Sequence, residues 1–253
     1  MGRLRRVRGE FLAAARSFLR RRTAVFFTFV FPLLLVLIFG VLVGTRPTGG
    51  LFTEPAGWYT PGYLAVVVLF TPLSRVGSEV ARHRESNRFE KLATTPLSRA
   101  EWLLAGTLVN AAVIGAAALL LLVLLVLAGV PLAAGPELLL LVPYLLVGVA
   151  VFCGIGALLG SLADSQDGVI AASNTVALPL LFLSETFVPR ELLPGWLPTG
   201  LSPLTYFARG VRAITFAGDS GSGVGDPALA LAVLVVLAAL SLLAGARALP
   251  TTD

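Results

Sequence analysis

The chain alternates long apolar stretches with short polar segments, as polytopic membrane proteins do. Four of the stretches each reach the roughly 20 residues that a membrane-crossing helix requires, and two more are shorter or interrupted. The pattern therefore predicts six membrane spans. They cover residues 24–44, 59–81, 102–129, 137–162, 169–187 and 227–247, numbered here as the first to the sixth span.

The second and fifth spans carry the weakest signals. The second begins near Pro61, which suits a helix N-terminus, and it continues past Arg75 and Glu79, whose side chains would extend toward water. The fifth contains Pro179 and is interrupted by polar residues near its end. A proline inside a span breaks or bends the helix, so this span is predicted to be broken or to end early.

The positions of arginine and lysine predict the orientation. Residues 1–22 contain eight arginines, and residues 75–99 add five more and the chain's lone lysine. Basic residues accumulate in the short loops on the cytoplasmic side of a membrane, so both termini are predicted to be cytoplasmic. The membrane is predicted to be the inner membrane of a prokaryote. The inner loop around Asp164 and Asp167 has no basic residue and gives no orientation signal. The outer segments contain Arg46, Arg190, Arg209 and Arg212.

Composition supports the membrane assignment, with 57% hydrophobic and 13% charged residues and a mean hydropathy of +0.89. The net charge is +5, but the basic residues lie beside the spans and no separate soluble domain could present them to nucleic acid. Anionic lipid headgroups of the bilayer are the favoured partner. Within residues 1–22, apolar and basic residues alternate at helical spacing, which predicts an amphipathic helix in the inner interface. A cleaved signal peptide is disfavoured because the apolar run that follows is too long.

Residues that could carry chemistry are few. Cys153 is the lone cysteine, so it can form no intrachain disulfide, and packing is its expected role. His83 lacks the second histidine of a zinc-protease helix and is predicted to be a solvated loop residue. No phosphate-cradling glycine loop and no Gly-x-Ser-x-Gly motif occurs. The chain is therefore predicted not to be an enzyme, and any ATP would bind to another polypeptide.

The loop at residues 82–101 is the longest polar insert between apolar spans. Residues 88–92 predict a short amphipathic helical turn that stops where Thr95 precedes Pro96. Ser98 and Glu101 then form a capping box that leads into the third span. Such a short helix suits contact with a soluble partner, although an ordinary charged loop that only enforces topology explains the same residues.

Two segments resemble a known family. The first, RHRESNRFEKLATTPLSRAEWLLA, is similar to the cytoplasmic loop of ABC-2 type transporter permeases, the family of daunorubicin-resistance and nodulation-export membrane subunits. The second, FVPRELLPGWLPTGLSPLTYFARGVR, is similar to a segment that follows the fifth span in the same family. One departure occurs at Ser86 and Asn87, where the family usually has a glycine beside the Arg-Glu pair.

The resemblance implies an all-α integral membrane fold. Its parts would be an interfacial helix at residues 1–22, a single transmembrane domain at 23–248 with a coupling helix between the second and third spans, and a tail at 249–253. A re-entrant outer hairpin would cover residues 188–214, although an external loop anchored by Trp196 and Tyr206 is the simpler alternative.

The resemblance also implies the permease half of an exporter. Two permease chains, expected to be identical, would form the path for a small amphipathic or lipid-like substrate. Two cytosolic ATPase subunits would bind ATP and Mg²⁺, and this chain itself would hold no cofactor. The implied ATPase-coupling residues are Arg84, Glu85, Arg88, Phe89, Glu90, Leu92, Thr95 and Pro96, and the implied outer-gate residues are Glu185, Phe187, Pro189, Pro194, Trp196, Pro203, Tyr206 and Arg212.

If the loop contacts an ATPase in this way, Phe89 and Leu92 would sit in a groove of the ATPase, and neighbouring charges would set the relative position of the two proteins. Glu185 is a candidate for the exit path, although a charge at a span end is often simply solvated. The pairs Gly40 with Gly44 and Gly156 with Gly160 are expected to let helices pack closely. The interface between the two permease chains is one place where such a contact could lie.

Two other classes of function stay open. A secondary transporter or channel would need no ATPase and would normally show ionisable residues inside the membrane or an internal repeat. A membrane scaffold that only docks an ATPase is the other alternative. Stimulation of ATPase activity by substrate would separate an exporter from a scaffold.

Overall fold

The computed structural model describes residues 2–38, 54–133, 135–182, 184–216 and 226–250. Within these ranges the chain is helical and has no strand, which confirms the all-α prediction. The helices are α1 (Arg3–Arg20), α2 (Arg22–Leu35), α3 (Thr60–Glu85), α4 (Arg88–Ala93), α5 (Arg99–Leu127), α6 (Leu141–Leu162), α7 (Gln166–Phe182), α8 (Pro203–Thr215) and α9 (Pro227–Ala248).

Four segments of the described chain are long and apolar enough to cross a membrane. They are Ala56–Glu85, Arg99–Leu127, Pro136–Leu162 and Pro227–Ala248, which match the predicted second, third, fourth and sixth spans. The helical stretches Arg3–Arg20 and Arg22–Ile38 meet at an 80° bend and make a fifth candidate if they are counted as one broken span.

Helix α7 is shorter than the predicted fifth span. It has 17 residues, contains Pro179 and ends at Phe182, whereas the prediction extended to residue 187. The polar residues Ser184 and Glu185 follow the helix outside its last turn. The prediction that this span ends early is therefore confirmed, and by length alone α7 falls short of the roughly 20 residues that cross a bilayer.

Helix α3 lies at the centre of the bundle, where it packs closely against α6. Of its most apolar 18 residues, 67% are buried, against 22% for α9. A Cβ atom added at Gly156 would lie 2.7 Å from the carbonyl oxygen of Leu73, and one at Gly77 would lie 2.9 Å from the carbonyl oxygen of Gly156. Gly156 and Gly160 thus pack α6 against α3 inside one chain rather than at a dimer seam. Gly40 and Gly44 lie outside the described residues.

A second close contact joins α6 to α9. A Cβ atom at Gly245 would lie 2.7 Å from the carbonyl oxygen of Gly154. At the start of α9, the buried hydroxyl of Tyr144 donates a hydrogen bond to the carbonyl of Pro227. Helix α6 is therefore held between α3 and α9, and small residues on its two sides permit both contacts.

The two ends of the bundle differ in composition. One end, called here the basic end, brings together α1, α4, the start of α5, the link between α6 and α7, and the end of α9. Arg99 there donates a hydrogen bond of 2.5 Å to the carbonyl of Leu249. The opposite end contains the turn at Ala56–Tyr59, the segment 184–202 and α8, and Ala133 there donates a 3.0 Å hydrogen bond to the carbonyl of Thr215. The N-terminal helix, the polar loop and the end of α9 therefore share one end of the bundle.

Candidate functional site

The polar loop at the basic end contains α4, which begins at Arg88. Asn87 immediately before it has φ +50°, a left-handed conformation that asparagine and glycine adopt more easily than other residues. Asn87 follows Arg84, Glu85 and Ser86 in the segment where the family that the loop resembles usually has a glycine, and asparagine is one of the few other residues that adopt this conformation easily. The hydroxyl of Thr95 donates a 2.7 Å hydrogen bond to the carbonyl of Leu92 just after α4 ends, as the Thr-Pro stop predicted.

Phe89 turns into the bundle, where it joins an aromatic cluster with His83 and Trp102. The ring centroids lie 5.3 to 5.6 Å apart, and each of the three side chains is only 7% exposed. The prediction of His83 as a solvated loop residue is wrong, because α3 extends through residue 83 and its ring is covered from two sides. Phe89 packs within this chain, so it is not free to sit in a groove of a partner as the sequence had suggested.

The outer face of α4 is charged. Arg88, Glu90 and Lys91 are exposed, while Leu92 is half-buried. Beside them lies a pocket of about 270 Å³, lined by Leu92, Thr95 and Pro250 among others. Thr95 and Pro96 are also exposed. The loop thus offers a charged ridge and an adjacent pocket at the basic end.

Arg84 and Glu85 belong to the end of α3 rather than to the short helix of the loop. Arg84 donates hydrogen bonds of 2.9 and 2.8 Å to the carbonyls of Ser161 and Ala163, in the link after α6. Glu85 accepts hydrogen bonds from the backbone and the side chain of Gln166 at 3.2 and 3.1 Å. The short helix that the resemblance placed from residue 84 onward therefore begins at residue 88. Arg84 and Glu85 instead connect α3 with the link between α6 and α7.

The predicted capping box is confirmed, and it has a partner that the sequence did not reveal. The hydroxyl of Ser98 accepts a hydrogen bond from the Glu101 backbone at 3.2 Å, and the Glu101 carboxylate accepts one from the Ser98 backbone at 2.9 Å. Arg6 of α1 forms an ion pair with the same carboxylate at 2.6 Å. The pair fixes α1 to the start of α5, yet nothing in the sequence distinguishes Arg6 from the seven other arginines near it.

At the opposite end, Glu185 is the centre of a buried polar network. Its side chain is 5% exposed, and both of its oxygens accept 2.6 Å hydrogen bonds from Arg209. The hydroxyl of Thr199 donates a further bond of 3.1 Å. Glu185 is therefore neither a solvated charge nor a free carboxylate on an open path. Its partner Arg209 was missed, because 24 residues separate the two in sequence.

Arg212 completes this network and is itself 4% exposed. Its guanidinium lies 3.7 Å from the centre of the Trp58 ring, and it donates hydrogen bonds to the carbonyls of Glu185 and Trp58 at 2.8 and 3.3 Å. We call Glu185, Thr199, Arg209, Arg212 and Trp58 the outer network. The outer network joins three parts of the chain, which are the turn before α3, the segment after α7, and helix α8.

The hydrogen bonds that Arg209 donates to the Glu185 carboxylate raise the pKa of Arg209, whereas burial lowers the pKa of Arg212 to about 10. Both arginines therefore stay protonated at neutral pH. Arg190 lies 4.0 Å from the same carboxylate, so three arginines surround Glu185. The positive charges of Arg209 and Arg212 are therefore constant across the physiological pH range.

The remaining predicted outer-gate residues are divided between buried and exposed positions. Pro189 and Pro203 are buried, Phe187 and Tyr206 are half-buried, and Pro194 and Trp196 are exposed, Trp196 at 81%. In the described residues 184–202, the regular structure consists of two short 3-10 helices, Arg190–Leu192 and Thr199–Leu201, as the prolines predicted. Phe187 lies over Gly62, where an added Cβ would approach its ring to 2.6 Å. The structure thus brings Glu185 and Arg212 together and leaves Trp196 at the surface.

The described residues contain no group of histidine, cysteine and acidic side chains that could hold a metal ion. Compared with known proteins, the chain matches the family model described as ABC-2 type transporter over residues 10–216. The match includes both the polar loop at the basic end and the outer network. No curated protein matches the chain.

Proposed function

The chain belongs to the ABC-2 type transporter family, and on that premise we propose that it is the membrane-spanning permease subunit of an ATP-driven exporter. Two copies would form the path for a small amphipathic or lipid-like substrate. Separate cytosolic ATPase subunits would bind ATP and Mg²⁺, and the permease itself would catalyse no reaction. In each copy, α2, α3, α5, α6 and α9 would provide five spans. Helix α7, which is shorter than a full crossing, would form the sixth together with the segment that follows it.

The basic end would face the cytoplasm of a prokaryotic cell. Eight arginines lie in residues 1–22 and further basic residues surround α4, which is the distribution expected beside the inner leaflet. Helix α1 is held there by the Arg6–Glu101 ion pair, and the end of α9 lies at the same end through Arg99. Both termini would therefore be cytoplasmic.

The proposed contact with the ATPase is the exposed face of α4, and the arrangement of α4 carries the proposal. Phe89 holds the helix against His83 of α3 and Trp102 of α5, while Glu90 and Lys91 point outward. A displacement of α4 would thus be transmitted to two membrane helices through a packed cluster rather than through a flexible loop. The charged ridge would select the partner and its register.

The outer network would act as the gate at the other end of the same helix. Trp58 lies in the turn that leads into α3, and Arg212 holds it to α8 and to the segment after α7. Movement of α3 driven from the basic end would therefore act on this network directly.

The experiment is to reverse one exposed charge on α4 and measure coupling. The permease would be copurified with cytosolic ATPases of the same cell, and ATPase activity would be measured in proteoliposomes. Glu90→Arg should leave the permease inserted and folded but reduce copurification and permease-stimulated ATPase activity by about tenfold, as expected for a lost interfacial charge pair of about 1.4 kcal/mol.

The matched control is Glu191→Arg, which makes the same change of charge at an exposed position of the opposite end. It should retain the activity of the unmodified chain. Equal activity of Glu90→Arg and Glu191→Arg would overturn the assignment of α4, and failure to recover any ATPase would overturn the proposed exporter.

A further inference from the structure

A groove of about 430 Å³ lies between the bent pair α1–α2 and the middle of α3. Its lining combines arginines with aromatic rings, an unusual mixture for a surface within a membrane-spanning region. The residues that matter are Arg21, Arg75, Arg82, Phe27, Phe31 and Phe70.

The charges in this groove do not balance. Glu79 is the acidic residue of the lining, and it pairs with Arg82 at 3.3 Å. Glu10 of α1 lies near Glu79 but does not line the groove. Even when both carboxylates are counted, the three arginines leave an excess of positive charge.

Two of the arginines have donors without partners among the described residues. Arg75 makes one long hydrogen bond of 3.4 Å to Asn110 and lies 4.3 Å from the centre of the Phe18 ring. The side chain of Arg21 forms no hydrogen bond or ion pair within the described chain. Since a guanidinium has five N–H donors, most donors of Arg75 and all side-chain donors of Arg21 have no acceptor among the described residues.

The position of Arg75 makes its unpaired N–H donors energetically unfavourable. It lies in the candidate span Ala56–Glu85, ten residues before Glu85, which places it about 15 Å from that end of α3. A charged arginine inside a membrane helix is unfavourable by several kcal/mol unless it is paired or hydrated. Glu79, one turn further along α3, attracts Arg75 electrostatically, but the ion-pair distance from Glu79 is to Arg82. No carboxylate of the described residues forms an ion pair with Arg75, so an external anion would satisfy its remaining donors.

We propose that this groove binds the headgroup of an anionic membrane phospholipid. The phosphate would accept hydrogen bonds from Arg75 and Arg21, because a guanidinium fork matches two phosphate oxygens. The acyl chains would lie along Phe27 and Phe31, whose rings are 65% and 47% exposed. A free phosphate ion would match the arginines but would leave these rings unused. This site is independent of ATPase coupling and would exist in a permease that coupled to no ATPase.

The test is native mass spectrometry of the purified full chain, released from nanodiscs of equal parts phosphatidylglycerol and phosphatidylcholine. The unmodified chain should retain phosphatidylglycerol in clear preference to phosphatidylcholine. Arg75→Gln should reduce the retained phosphatidylglycerol at least about fivefold, as expected for the loss of one charge-assisted hydrogen bond. The control Arg8→Gln removes the same charge from an exposed position of α1 outside the groove, and it should retain the lipid like the unmodified chain.

Two further arms make the result decisive. Arg21→Gln changes an exposed side chain and should fold normally, so a smaller loss of about threefold is expected there even if Arg75→Gln fails to insert. Inorganic phosphate at millimolar concentration should not displace the lipid, and displacement would show a site for free anions instead. Equal retention of the two lipids by the unmodified chain, or equal retention of phosphatidylglycerol by Arg21→Gln and Arg8→Gln, would overturn the proposal.

Discussion

Replacing Glu185 with glutamine removes the negative charge that Arg209 binds in the outer network. The carboxylate accepts two 2.6 Å hydrogen bonds from Arg209 and one of 3.1 Å from Thr199. A glutamine side chain has nearly the same shape but only one acceptor oxygen. One bond from Arg209 is therefore lost, and the amide NH₂ group faces a guanidinium N–H at the same place.

The magnitude follows from the burial of the two partners. A hydrogen bond to a charged group contributes about 1.5 to 3 kcal/mol, and breaking one side of a fully buried ion pair costs about 3 to 5 kcal/mol. Glu185 is 5% exposed but Arg209 is 28% exposed, so water relieves part of the loss on the arginine side. We therefore expect a destabilisation of about 2 kcal/mol.

The assay is thermal unfolding of the purified protein in detergent, followed by intrinsic fluorescence. For a chain of this length, 2 kcal/mol corresponds to a fall in Tm of about 4 to 8 °C. Glu191→Gln is the control, because it makes the same change at an exposed position of the same end and should shift Tm by less than about 1 °C. The double variant Glu185→Gln, Arg209→Gln should recover part of the loss, since it removes the guanidinium that loses its partner, while Arg190 and Arg212 keep their charges. Equal Tm values for Glu185→Gln and Glu191→Gln would refute the reasoning.

Three other changes have outcomes that the packing determines. Phe89→Ala should lower the free energy of unfolding by about 3 kcal/mol because it leaves a cavity between His83 and Trp102, and thermal melts followed by circular dichroism should show this loss. The ATPase assay should show weaker stimulation by the same variant. Gly77→Ala should lower Tm, since its Cβ would lie 2.9 Å from the carbonyl of Gly156, whereas Gly106→Ala has open space and should not; similar Tm values would contradict the close packing of α3 and α6. Arg84→Gln should increase hydrogen exchange in the link after α6, and unchanged exchange there would show that its two carbonyl contacts carry no stability.

The sequence predicted local features well where one segment contains the whole cause. The capping box at Ser98 and Glu101 depends on residues three positions apart, and the stop at Thr95 depends on the proline that follows it. Both are confirmed because their interactions lie within one helical turn. The early end of the fifth span is another such case, since Pro179 and the polar residues after it act on their own helix.

Prediction of the candidate sites was only partial. Phe89 and His83 were expected to face a partner or water, but α3 extends far enough for their rings to pack with Trp102. Glu185 was recognised as unusual, yet its partner could not be identified from the sequence. The Arg6–Glu101 pair joins residues 95 positions apart, and no local pattern distinguishes one arginine of a cluster from another.

The sequence by itself determined the class of the protein, the positions of most membrane helices and the family. These depend on the length of apolar stretches, on the position of charges beside them and on two motifs, all of which are read along the chain. Only the tertiary structure decided which faces meet and which charges pair. Membrane helices are apolar on nearly every side, so periodicity does not mark the buried face, and the pairing of Glu185 with Arg209 or of Gly156 with α3 depends on how the helices pack.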